Sequence, residues 1–320
     1  MATEGGTKAV IAAMLANAGI AVAKFVAYLV TGSASMLAES IHSVADTSNQ
    51  GLLLLGGKRA QRIATDRHQF GYGRERYFWS FIVALVLFTL GGLYSLYEGI
   101  NKILHPHELS SIEWAIGVLV VGIVLEAFSF RTAIVEARKV KGDRSWWEYI
   151  RTSRSPELPV VLLEDAGAQI GLVLALIGVG AYAVTGNELW DAVGTLSIGV
   201  LLLIIATFLT IEMKSLLIGE AATDIDVALL RDALENSPRV TRIIDLRTQH
   251  IGPEELLVAG KVEFDKTLSA PALADAIDTA ETALRTAVPY ATRIYLEPDL
   301  WEHGHRETPD VLAPEDGTDH

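Results

Sequence analysis

The sequence contains no cysteine, so it can form neither a disulfide bond nor a thiolate metal site. A bound metal ion must therefore be held by histidine, aspartate, glutamate or backbone oxygen. Charged residues are also scarce, at 20% of the 320 residues against 50% that are hydrophobic. Sparse and clustered charge in an apolar chain is typical of a multi-pass membrane protein with a soluble portion, and surrounding membrane lipid is expected.

Basic residues are outnumbered: 26 Lys and Arg stand against 39 Asp and Glu, a formal net charge of −13. This acidic balance argues against nucleic acid as a partner. Residues 1–8 lack the charged region and the cleavage site of a signal peptide. We therefore expect the first apolar segment to be retained as a membrane span.

Six segments have the roughly 20 residues that a membrane-spanning helix needs. They cover residues 9–30, 35–57, 77–104, 112–134, 159–184 and 189–211. The loops after the second and fourth segments are rich in Lys and Arg, whereas the other connections have almost none. The positive-inside rule then places both loops and both termini in the cytoplasm, in the cell membrane if the source is prokaryotic.

From residue 213 the pattern changes to helix, strand, strand, helix, strand. This order predicts a small cytoplasmic α+β domain of ferredoxin-like, αββαβ type behind an all-α membrane domain of six helices. We expect the membrane domain at residues 1–212, the α+β domain at 213–299 and a disordered tail at 300–320.

The second segment is polar on one side only. Glu39, His42, Asp46 and Asn49 follow one another at steps of three, four and three residues, which keeps them on one face of a helix. An ionisable group at bilayer depth costs about 2.5–3.5 kcal/mol on insertion scales, so it is retained where it faces a partner, a cavity or an ion. His42 and Asp46, one turn apart, can hold one metal ion; a hydrogen-bonded structural pair is the alternative.

The fifth segment carries Glu164 and Asp165 side by side. Neighbours on a helix point about 100° apart, so Asp165 shares a face with Gln169 while Glu164 is expected to point elsewhere. If Asp165 faces His42 and Asp46, three ligands converge and leave one position open for exchange. Imidazole with carboxylates suits Zn²⁺ best, with Mn²⁺, Fe²⁺ and Co²⁺ as alternatives. Additional candidate ligands are Glu164, Gln169 and Glu39.

These features together resemble the cation diffusion facilitator family, in particular its zinc-transporter-nine-like branch. The supporting stretches are His68-Gln-Phe-Gly-Tyr-Gly-Arg-Glu-Arg-Tyr-Phe-Trp, Leu-Leu-Ile-Gly-Glu220 and Gln249-His-Ile-Gly-Pro-Glu-Glu-Leu-Leu-Val. The resemblance covers nearly the whole chain to about Asp299. It implies metal–proton antiport, alternating access around a site in the middle of the membrane, a homodimer held by the C-terminal domain, and no cofactor.

The chain departs from the family pattern in its ligands. The family usually has a second ligand four residues before the Asp of the fifth span, where this sequence has Val161. Water, Glu164 or Gln169 would have to take its place. In relatives with a second site before the third span several ligands converge, but here only His68 and Asp66 remain, so we expect that site to be weak or absent.

Two other functions stay open at this point, an intramembrane metalloenzyme and a membrane sensor that does not transport. An enzyme would need a base beside the metal, and Glu39 is the only candidate on the metal-bearing face. The sequence has no His-Glu-x-x-His motif. We therefore favour a transporter that is not an enzyme. In the C-terminal domain only His250 and Glu297 are plausible ligands.

Overall fold

The computed structural model describes residues 2–31, 34–106 and 111–301. The side chains of residues 2–13, 16, 27, 31, 34–36, 38, 39, 42 and 88 are not part of that description. Of the expected tail, residues 302–320 lie outside the described residues. The chain divides into two compact units between Ile218 and Gly219.

The first unit is helical. Its helices are α1 (Ala2–Thr31), α2 (Ala34–Ala60), α3 (Glu75–Leu104), α4 (Ile112–Lys141), α5 (Trp146–Thr152), α6 (Glu157–Thr185) and α7 (Leu189–Ile218). Long helices cover all six predicted segments, with α5 lying between the fourth and fifth. Within α3 the hydrogen bonding widens to π-helical geometry over Leu87–Leu93.

Four of these helices, α3, α4, α6 and α7, are long and apolar enough to cross a membrane. Among the described residues α1 offers a shorter apolar stretch, Asn17–Val30, and the polar α2 does not reach this measure. The count of six spans therefore stays a prediction. Large apolar side chains point outward from the unit: Phe128, Ile177 and Ile204 are each 60–63% exposed, as expected of a surface that faces lipid.

The six long helices form a closed ring in the order α1, α2, α3, α7, α6, α4, in which each helix packs on the next. Helices α2 and α6 also touch across this ring. Close packing of α7 depends on glycine: a Cβ at Gly99 of α3 would lie 2.7 Å from Leu196, and one at Gly178 of α6 would lie 2.9 Å from the carbonyl oxygen of Trp190. Lipid gives no hydrophobic drive for helix association, so such close approach is what holds these helices together.

The second unit has the predicted element order. It consists of α8 (Asp224–Glu235), β1 (Val240–Gly252), β2 (Glu255–Phe264), α9 (Ala270–Ala287) and β3 (Arg293–Pro298). The central strand β2 pairs with β1 in antiparallel and with β3 in parallel fashion. Helices α8 and α9 pack on each other and on the sheet, with Leu230, Leu256, Val258 and Leu284 fully buried between the layers. Assignment to the ferredoxin-like class stays a prediction.

Two of the sequence motifs meet at the start of this unit. Gly219 has φ = +116°, and a Cβ built on it would fall on the side-chain amide of Gln249. The backbone N–H of His250 donates to the carbonyl oxygen of Glu220 at 2.8 Å. The N–H of Ala222 donates to Oγ1 of Thr248 at 2.9 Å. Residues 219–222 are thus fastened along the end of β1.

Gly219→Ala is expected to destabilise the protein, because alanine is strained at this φ and its Cβ collides with Gln249. The expected cost is about 1–3 kcal/mol. Each kcal/mol lowers the unfolding midpoint of a domain of this size by roughly 4–8 °C. Thermal unfolding of the whole chain in detergent measures it. Gly71→Ala is the control, since Gly71 has φ = +85° but open space around it. Equal shifts in the two variants would show that the contact with Gln249 carries no weight.

Candidate metal site

The inward face of α2 is polar and buried from solvent. Ser43, Asp46, Asn49 and Gln50 are all buried, at 0–2% exposure. Of the four residues predicted to share one face, Asp46 and Asn49 have described side chains, and both are buried. The backbone of His42 lies in α2 one turn before Asp46, but the side chains of His42 and Glu39 are outside the described set, so their part in the site stays a prediction.

Helix α6 meets this face through Glu164. Its carboxyl oxygen Oε1 accepts a hydrogen bond of 2.6 Å from the Asn49 amide. The same carboxyl lies within electrostatic range of Asp46. Its other oxygen, Oε2, is buried and has no hydrogen-bond partner among the described residues. Two acidic side chains and an amide therefore meet between α2 and α6, inside the ring.

Asp165 is also buried, but it is held by α4. Its Oδ2 accepts a hydrogen bond of 3.0 Å from the Ser129 hydroxyl. Glu126, also on α4 and buried, lies within electrostatic range of Asp165, as does Asp46. Asp165 thus has an acidic neighbour on each of two helices, Asp46 on α2 and Glu126 on α4.

Glu164 and Asp165 point in different directions, as expected, but it is Glu164 that contacts the polar face of α2. Helix α6 packs on α4 and α7 along the ring and touches α2 and α3 as well, so it is buried on more than one side. Two neighbouring residues about 100° apart can therefore both face the interior. Glu164 turns to α2 and Asp165 to α4, whereas Gln169 is half-buried with a buried amide oxygen.

No group of three His, Asp or Glu side chains lies close enough to hold a metal ion among the side chains that the structure describes. Because His42 is not one of them, the set His42, Asp46 and Asp165 is neither assembled nor excluded. Sequence analysis missed Lys24 and Ser129, which also face this interior. Lys24 carried a usable signal, because it is a cation in the middle of an apolar run.

Ion pairs tie α3 to its neighbours at both of its ends. Near its start, Arg76 pairs with Glu157 of α6, and both side chains are about one-fifth exposed. Near its end, Lys102 donates to Asp191 of α7 at 2.6 Å and to the Thr195 hydroxyl at 3.0 Å. Each pair joins two helices of the ring on either side of the buried acidic region.

The candidate ligands of further metal sites form no group of three among the described side chains. Asp66 and His68 lie on the exposed loop between α2 and α3, where the His68 ring packs on Tyr72 with centroids 4.7 Å apart. In the second unit, His250 is buried and stacks on Tyr290, whereas Glu297 is on β3 beside Lys261. The Lys261 ammonium donates a hydrogen bond to Glu297, 3.3 Å away, and this bond raises the pKa of Lys261. That carboxylate is already paired.

A family model described as the cation efflux transmembrane domain matches residues 10–218. The chain belongs to the cation efflux family. This confirms the resemblance to cation diffusion facilitators. Among its relatives is a human protein named proton-coupled zinc antiporter SLC30A9, mitochondrial, which is 32% identical over 316 residues, 98% of this chain and 52% of the relative.

Other members of the family are similarly related. The Xenopus laevis protein with the same name is 37% identical over 267 residues, which are 83% of this chain and 48% of the relative. Metal tolerance protein C4 of Arabidopsis thaliana is 30% identical over 260 residues, 81% and 57% of the two chains. The chain spans about half the length of these relatives. Family and apolar helices together make it an integral membrane protein of a transporter family, not an enzyme.

Proposed function

We propose that this protein moves divalent metal cations, zinc foremost, out of the cytoplasm in exchange for protons. In this proposal both basic loops and both termini face the cytoplasm, as the distribution of Lys and Arg suggests. The names of the human and Xenopus relatives, which are called proton-coupled zinc antiporters, support zinc and protons as the exchanged ions.

The observation that carries the proposal is the buried acidic contact between α2 and α6. Asp46, Glu164 and Asp165 are each at most 3% exposed. Acidic groups so placed are expensive unless a cation or a proton neutralises them. A divalent cation that enters this region meets carboxylate oxygens from two helices, and His42 would add an imidazole that favours zinc over harder ions.

Glu164 is our choice for the ligand that the family usually has at the position of Val161. It lies beside Asp46, and its Oε1 accepts a hydrogen bond from the Asn49 amide. Its second oxygen, Oε2, is available to a metal ion. The proposed ligands are therefore His42, Asp46, Asp165 and Glu164. Carboxylate and imidazole ligands lose protons when they bind a metal ion, which is the competition that antiport requires.

Transport by purified protein in proteoliposomes tests this function. Zinc entry should be driven by an imposed pH gradient and should be accompanied by proton exit, read by a dye inside the vesicles. Manganese, iron and cobalt are compared under the same gradient. Zinc binding without flux of any ion would instead support a sensor. The mass of the purified particle tests the homodimer, which stays a prediction.

His42→Asp is expected to lower the ratio of zinc to manganese transport by about tenfold or more. The substitution replaces a nitrogen ligand with a hard oxygen ligand and so removes the preference for zinc. Initial rates for both ions in the same proteoliposomes measure the ratio, and wild-type protein at matched density is the control. A ratio equal to that of the wild type would remove His42 from the ligand set.

A further inference from the structure

A lysine lies inside the ring of membrane helices. Lys24 of α1 is 1% exposed, and its ammonium donates a hydrogen bond of 2.8 Å to the Ser43 hydroxyl of α2. A cation in this environment is as costly as an anion, so its retention calls for a role. The inference below rests on the proposed metal transport.

The position of Lys24 links it to the acidic region. Ser43 is three residues before Asp46, so both share the buried face of α2. On the other side, a Cβ at Gly122 of α4 would lie 3.8 Å from Cε of Lys24. Glu126 is one helical turn further along α4 and is buried. The lysine stem thus crosses from α1 to the two helices that carry these carboxyls.

The charges of this interior can be compared directly. Four carboxyls, those of Asp46, Glu126, Glu164 and Asp165, are at most 3% exposed. Among the described side chains of this interior, these four carboxylates and the Lys24 ammonium leave three negative charges when all are ionised. Without Lys24 they would leave four. Inside a protein, such an excess attracts a divalent cation strongly, and a transporter must also let that cation leave.

We propose that Lys24 is a built-in counter-charge that weakens metal binding enough to allow release. The ammonium repels the metal ion, and the hydrogen bond to the Ser43 hydroxyl helps to hold it in place. Lys24 is in this view a positioning residue that acts on the ion through charge and does not ligate it. A tight site without this lysine would bind zinc well and turn over slowly.

The test is zinc titration of the purified protein in detergent, followed by transport in proteoliposomes. Lys24→Met removes the charge at similar length, and Lys24→Gln removes it while keeping a donor for Ser43. Both are expected to lower the zinc Kd by about tenfold or more and to slow turnover. Lys24→Arg should leave the Kd within about threefold of the wild type, since it keeps the charge.

Matched variants separate charge from structure. Ser43→Ala keeps the ammonium and removes one of its hydrogen bonds, so a smaller fall in Kd is expected than for Lys24→Met. The pair of substitutions Lys102→Met and Asp191→Asn removes a half-buried lysine together with its partner, far along α3, and should leave the Kd unchanged. Thermal unfolding of each metal-free variant checks that it is folded.

A zinc Kd that rises or stays constant in both Lys24→Met and Lys24→Gln would overturn the proposal and assign Lys24 to packing. Failure of the proposed function looks different. In that case the wild-type protein would move no zinc under the imposed pH gradient, whatever the lysine variants do. Loss of zinc binding in Asp165→Ala together with an unchanged Kd in the lysine variants would contradict only the proposed role of Lys24 and leave the metal site in place.

Discussion

Asp165→Ala is expected to reduce zinc flux into proteoliposomes by at least about a hundredfold, to the level of vesicles without protein. Asp165 is buried and has acidic neighbours on two helices, Asp46 of α2 and Glu126 of α4. Loss of groups that only orient metal ligands typically costs 10–100-fold in affinity or activity, so loss of a ligand should cost more. Initial zinc uptake under a fixed pH gradient measures the effect.

Two variants make this result specific. Ser129→Ala removes only the hydroxyl that donates to Asp165, so it should lower the rate without abolishing it. Glu113→Gln removes an acidic side chain at the exposed start of α4 and should transport like the wild type. Flux near the wild-type level in Asp165→Ala, with the protein folded and correctly inserted, would contradict the site assignment.

Glu164→Gln is expected to raise the zinc Kd by about 10–100-fold. Glutamine has the same shape and can still accept from Asn49, so packing is kept while one negative charge and one anionic ligand are lost. Zinc titration of the purified protein gives the Kd, and thermal unfolding of the metal-free protein gives the stability. The two readings together distinguish a ligand from a packing residue.

Asn49→Ala provides the comparison for Glu164. It leaves the carboxylate in place but removes the donor that fixes Oε1, so we expect a weaker effect on the Kd than that of Glu164→Gln. If Glu164→Gln lowers the unfolding midpoint while the Kd is unchanged, Glu164 supports the helix packing only. The fourth ligand would then have to be water or Gln169.

The sequence was sufficient for the positions of the helices and for the burial of two polar residues of α2. Apolar runs of about 20 residues marked where the helices lie, and the spacing of Asp46 and Asn49 predicted that both face inward, which the structure confirms. In the second unit, alternating patterns gave the order of elements. The parallel pairing of β3 with β2 was not predicted, because local patterns carry no information on which strands become neighbours.

The orientation of Glu164 could not be read from helical spacing alone. Spacing gives the angle between two side chains, but not how much of the helix surface is buried. Because α6 has neighbours on several sides, both Glu164 and Asp165 face the interior. The partners Ser129 and Asn49 likewise come from other helices, at sequence distances that no local pattern connects.

The fastening of residues 219–222 to the end of β1 bears on how the two units can be exchanged between relatives. The Gly219 backbone leaves no room beside Gln249, and Glu220 is bonded to His250. A chimera joined after residue 222 would separate these matched halves. Joined between Ile218 and Gly219, it transfers both halves together and keeps the fit intact.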